Sequence, residues 1–153
     1  MNLTNIQEEY LRIIYILEKE NKNVRITDIA KNTKKTKPTV NYAMNTLKEE
    51  GLIDYETYRN ISLTKEGKKK AEKILEAYYI VYLFLKEILK LDDEKAEIEA
   101  IKMKATLADD TLNKLAKYTH ETLGLYSLDC GYDINNAKCL SCLRRNIKNR
   151  TFR

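Results

Sequence analysis

The sequence predicts a mainly α-helical fold with one small β-hairpin, and three observations predict it. The 153 residues include only four glycines and one proline, too few for a turn-rich sandwich or barrel. Apolar residues recur at three- and four-residue spacing along most of the chain. Only the stretch 52–63 breaks into two short strand-like runs around a turn. With 43% hydrophobic and 33% charged residues, the composition is that of a globular protein, and wholesale disorder is excluded.

The first helix is read from Ile6, Tyr10, Leu11, Ile13, Ile14 and Leu17, and it stops near Glu20-Asn21-Lys22-Asn23. Thr27 is expected to cap a short second helix through Ile29 and Ala30, with Lys31 to Thr36 as a turn. Pro38 marks the first turn of a third helix, where its missing N–H costs nothing. That helix runs through Val40, Ala43, Met44 and Leu47 to Gly51, a natural stop. Leu52–Glu56 and Ile61–Leu63 then form the hairpin. Thr64 caps a long helix whose later part, Ile74 to Leu89, is apolar almost all round. A stripe this wide predicts burial on several sides, as at a subunit interface. Asp92-Asp93-Glu94 starts a helix to about Ala105, and Ala108-Asp109-Asp110 starts one to about His120. The remainder is irregular.

The charge is local. Residues 143–153 hold Arg144, Arg145, Lys148, Arg150 and Arg153 and no acid, so this tail carries the whole net charge of +5. A second patch lies between Ile29 and Leu47, where Lys31, Lys34, Lys35 and Lys37 stand with no acid among them. The longest apolar run, Ala77 to Leu85, is nine residues, against roughly 20 for a membrane-crossing helix. The polar N-terminus gives no expectation of a secretory signal, which points to the cytoplasm and to no membrane partner. There, cysteines serve metals or redox chemistry more often than structural disulfides.

Helix, short helix, turn, helix and hairpin is the order of a winged helix-turn-helix. The third helix would offer Thr36, Lys37, Pro38, Thr39, Asn41, Tyr42 and Asn45 to a major groove, with Lys34 and Lys35 beside it. Asparagine reads adenine through two hydrogen bonds, hydroxyls bond phosphates or base edges, and lysines displace counterions. Tyr58, Arg59 and Asn60 at the hairpin tip suit a minor groove or a phosphate.

These residues also carry a resemblance. Glu8-Glu9-Tyr10-Leu11-Arg12-Ile13-Ile14-Tyr15-Ile16-Leu17-Glu18, Thr27-Asp28-Ile29-Ala30, Pro38-Thr39-Val40, Gly51-Leu52-Ile53 and Leu63-Thr64-Lys65-Glu66-Gly67 resemble the diphtheria toxin repressor family of iron- and manganese-dependent regulators. The resemblance reaches from residue 5 to about 118. It implies a DNA-binding domain over 1–64 and a helical dimerisation domain over 65–122; the cysteine-containing basic tail over 123–153 lies beyond the resemblance. It also implies a homodimer on a palindromic double-stranded operator.

Carried over position by position, most ligands of the family's divalent-metal switch fail, leaving a degenerate site. Its first-helix ligand falls at Glu9, but its other ligand positions fall at Tyr78, Ile101, Lys104 and Ala105. Only Glu97 and Glu99 keep ligand chemistry nearby. Alkyl chains and an ammonium do not coordinate iron or manganese. Two readings follow: Lys104 is a fixed positive charge among Glu9, Glu97 and Glu99 replacing the metal, or these residues are an ordinary solvated helix face.

A different metal site is suggested by Cys130, Cys139 and Cys142, all within thirteen residues of an otherwise cysteine-free chain. Three thiolates with His120, the single histidine, would hold zinc. Three thiolates with another ligand would hold an iron–sulfur cluster. Free packed thiols and a redox disulfide are the other readings. No Gly-rich phosphate loop, His-Glu metal helix or paired nucleophile and base occurs, so an enzyme is not expected. The sequence thus points to a DNA-binding transcriptional regulator answering metal, iron–sulfur or redox status. The competing reading is a metal or iron–sulfur carrier whose winged helix docks protein.

Overall fold

The computed structural model describes residues 3–20, 23–56 and 59–123. Tyr58, the three cysteines and the basic tail lie outside the described residues. The chain divides into two compact units, Met1–Ile74 and Leu75–Arg153.

In the first unit, α1 (Asn5–Lys19) begins with a reciprocal cap: the Gln7 amide N–H donates to the Thr4 hydroxyl, and the Thr4 N–H donates back to the Gln7 side chain. Its apolar stripe buries Tyr10, Leu11, Ile14 and Leu17, and it packs on α2 (Ile26–Thr33) and on the hairpin strand β2 (Ser62–Leu63). Thr27 does not cap α2, contrary to expectation. The helix starts two residues earlier, because Asp28 in its first turn accepts the Arg25 N–H at 3.0 Å and does the capping backwards. Nor is Lys31–Thr36 all turn: α2 runs to Thr33 and stops where Lys34 turns left-handed at φ 56°.

Helix α3 (Lys37–Glu49) is capped by Thr36 and has Pro38 in its first turn. Val40, Met44 and Leu47 are fully buried on its inner face, which lies against α2 and the strand β1 (Ile53–Asp54). Gly51, at φ +71°, supplies the left-handed residue that releases the chain into β1. β1 and β2 pair antiparallel, Ile53 with Leu63 and Asp54 with Ser62. A bridge the sequence did not announce joins Val24 to Ile61 and ties the base of the hairpin to the start of α2. Glu18 of α1 reaches the same hairpin and accepts the Leu63 N–H at 2.8 Å.

The division between the units falls inside α4 (Lys65–Leu83). Thr64 caps it by accepting the Gly67 N–H at 3.0 Å. In the second unit the helix widens into a π-helical turn, Phe84–Ile88, against which α5 (Asp93–Thr106) and α6 (Asp109–Thr122) pack. Ile80 and Ala116 are buried against one another, with Tyr79, Leu83 and Leu115 around them. The Tyr82 hydroxyl donates to Asp93 at 3.0 Å, and Lys86 pairs with the same carboxylate. Burial first, then Asp93, pushes the Tyr82 phenol far above its ordinary range, while the bonds from Lys86 and Tyr82 hold Asp93 below its own. Along the wide stripe from Leu75 to Leu89, the residues Leu75, Tyr78, Ile80, Val81, Tyr82 and Leu85 are buried in the single chain, whereas Leu83, Phe84 and Ile88 are half-buried and Leu89 is exposed. Among the described residues no helix is long and apolar enough to cross a membrane.

Candidate nucleic-acid interface

With Val40, Met44 and Leu47 holding its inner side, α3 turns the rest of its surface outward. Lys34, Lys35, Thr36, Lys37, Pro38, Thr39, Tyr42 and Asn45 are all exposed, as are Arg59 and Asn60 of the hairpin. Tyr42, at 77%, is the most exposed large hydrophobic side chain described, a position with no packing role and one suited to touching a base methyl. The two threonines are partly self-satisfied: their hydroxyls lie 2.7 Å apart, and Thr36 also caps Thr39. Arg59 lies 2.8 Å from Glu56, both side chains facing solvent.

Asn41 differs from its neighbours. It is half-buried, and its Oδ1 accepts the hydroxyl of Tyr55 at 2.6 Å. It also lines a cleft of about 610 Å3 within the first unit. Arg25, Lys37 and Arg59 bring three cations to that cleft, and Thr27 and Tyr55 add hydroxyls. Among the described residues no carboxylate lines it. Arg25 and Tyr55 were not anticipated. Nothing local marks them, since the Val24–Ile61 bridge and the hairpin bring them beside α3.

The residues at the metal-switch positions do not fit a metal. Glu9 is engaged by Arg12 through two hydrogen bonds, of 3.0 and 2.6 Å. Glu99 lies 4.0 Å from Lys95, and Glu97 is half-buried. Tyr78 stacks on Tyr82 with ring centres 6.0 Å apart. Ile101 and Ala105 have no donor atoms. Lys104, at 9% exposure, continues the buried line of Ala96 and Ala100 at one-turn spacing, so a solvated helix face is ruled out for it. Among the described residues no three His, Cys, Asp or Glu side chains gather where they could hold a cation. His120, in the last turn of α6, has its pKa lowered by burial.

Two family models match: the iron dependent repressor N-terminal DNA-binding domain over residues 2–61, and the iron dependent repressor metal-binding and dimerisation domain over residues 64–122. An uncharacterised HTH-type transcriptional regulator of Methanocaldococcus jannaschii is 36% identical over 71% of this chain and 87% of its own length. The diphtheria toxin repressor of Corynebacterium diphtheriae is 27% identical over 76% of this chain, which spans about half (51%) of that protein. The solved structure of the manganese regulator SloR superposes with a TM-score of 0.67 at 25% identity, covering 73% of this chain and 52% of that one.

Proposed function

The chain belongs to the iron-dependent repressor family, and from that premise we propose that it acts as a homodimeric, sequence-specific regulator of transcription on a palindromic duplex. The observation that carries this is the outward face of α3, which has no acid from Lys37 to Lys48, is capped by Thr36 and is backed by three fully buried residues. Such a face has the width and chemistry for a major groove, and lysines beside it supply counterion release. Two subunits would set two such helices about 34 Å apart, one turn of duplex.

Its effector is read differently from the family's. Tyr78, Ile101, Lys104 and Ala105 offer no carboxylate, imidazole or thiolate to a divalent ion, so no switching step is derived through iron or manganese at those positions. The reading we favour places the signal at Cys130, Cys139 and Cys142, as zinc, an iron–sulfur cluster or thiol redox state. Their clustering within thirteen residues supports it.

Binding to a palindromic duplex, followed by fluorescence anisotropy as salt is raised, tests the DNA reading. A regulator loses affinity steeply with salt and prefers its site over random duplex by about a thousandfold or more. Equal affinity for both duplexes would remove it. Visible absorbance or stoichiometric zinc in the purified full chain, lost on truncation after Leu140, tests the cysteine reading separately.

A further inference from the structure

We propose that the cleft between the start of α2, the start of α3 and the hairpin seats a backbone phosphate of the duplex, and that Asn41 faces it as a hydrogen-bond donor. Asn41 is then a residue that registers the protein on the DNA and not one that reads adenine. The proposal rests on the DNA-binding reading above and specifies one site within it.

The Tyr55–Asn41 bond is the ground for it. An asparagine that reads adenine uses both ends of its amide at once, accepting from the base amino group and donating to the ring nitrogen. In this protein Oδ1 is turned to the hydroxyl of Tyr55, whose side chain is only 5% exposed. That bond takes one of the two Oδ1 lone pairs and holds the oxygen toward Tyr55, so the end that turns to a ligand is Nδ2, which carries two N–H groups and no acceptor. A donor-only group selects an acceptor, and its surroundings select an anionic one. Arg25, Lys37 and Arg59 line the same cleft, with no carboxylate among its walls in the described residues. Glu56 holds Arg59 without entering that wall. The volume, about 610 Å3, is in the range of small-ligand sites, about 300–1,000 Å3. Base reading then falls to the open part of α3, where Tyr42 and Asn45 are exposed. Tyr55 is a positioning residue: it fixes which end of the amide faces outward.

The test uses the full chain and a pool of randomised duplexes, with the bound fraction sequenced and affinities measured for the recovered site and for random DNA. Asn41→Ala is expected to weaken both about equally, roughly three- to tenfold, with the preferred bases unchanged. Tyr55→Phe should weaken both in the same way and to a smaller extent. A merely structural role for Tyr55 would shift the thermal transition without this matched loss. Should Tyr55→Phe fail to fold, Asn41→Ala decides alone. A changed base preference at one position of the site in either variant overturns the proposal, because it makes Asn41 a base reader. A thermal shift of DNA-free protein by inorganic phosphate that is abolished by Lys37→Ala, together with unchanged DNA affinity in Asn41→Ala, would assign the cleft to a free anion and also overturn it. A wild type that prefers no duplex would end the DNA-binding reading itself, a result distinct from either of these.

Discussion

Gly67, in the first turn of α4, backs onto the carbonyl of Leu52 so closely that a Cβ placed on it would lie 1.8 Å from that oxygen. The same carbonyl accepts the Thr64 N–H at 3.1 Å, and the Thr64 hydroxyl donates to Gly51 at 2.8 Å. The exit of α3, the hairpin and the entry of α4 are thus locked through backbone atoms that have no room to retreat. Gly67→Ala is expected to destabilise the protein by about 3 kcal/mol, the upper end for overpacking. The helix-propensity gain of about 1 kcal/mol does not offset this. A fall in the urea midpoint at constant slope checks it, and an unchanged midpoint would contradict the contact.

Glu18 holds the hairpin from the other side through the Leu63 N–H. Glu18→Ala removes a charged acceptor from a backbone donor and should cost about 1.5–3 kcal/mol. Glu18→Gln keeps an acceptor oxygen and should recover most of that. Comparing the two variants by chemical denaturation separates the hydrogen bond from the loss of side-chain bulk.

His120 gives stability a pH dependence whose sign is fixed. Burial lowers its pKa in the folded state below the ordinary 6.5, so the unfolded chain binds the proton more readily. The stabilisation is complete above pH 6.5 and is lost as pH falls from there through the lower, folded value. Because it is the chain's single histidine, the window between pH 5 and 7 isolates it from the carboxylates. Thermal midpoints measured across that window should fall on acidification, and His120→Gln should flatten the curve.

Lys37 and Arg59 are each expected to neutralise one phosphate. Alanine at either position should make the plot of log affinity against log salt shallower by about 0.9, roughly equally for specific and random duplex. A slope unchanged in both variants would mean that these side chains do not meet the backbone.

Added manganese tests the altered switch. Because Ile101, Lys104 and Ala105 present no ligand for a hard cation and the Tyr78 ring is stacked on Tyr82, manganese given to metal-free protein should leave operator affinity within about twofold. A tenfold rise would show that other residues assemble the site.

Much of this architecture was readable because it is written in short-range chemistry. Pro38, Gly51, Thr64 and Asp92 each mark a boundary through their own backbone or cap, and the helices begin and end beside them. The start of α2 misled because Thr27 looks like a cap, whereas Asp28 does the capping from inside the helix. The π-helical turn at Phe84–Ile88 was invisible, since an apolar run has no polar face whose drift would betray an extra residue per turn. The exposed lysines of the interface were legible from the missing acids around them. The cleft was not, because Asn41 and Tyr55 meet across the β-hairpin side of α3, fourteen residues apart, and no periodicity connects them.

Lys104 leaves one more consequence. An ion that associates and dissociates reports its own abundance, and a chelator silences it. A lysine rooted in α5 and closed off from water beside Ala100 is covalently permanent and reports nothing about supply. On the reading proposed above, a regulator carrying it gives up the usual gauge of iron or manganese sufficiency, and what the cell tells it arrives by another door.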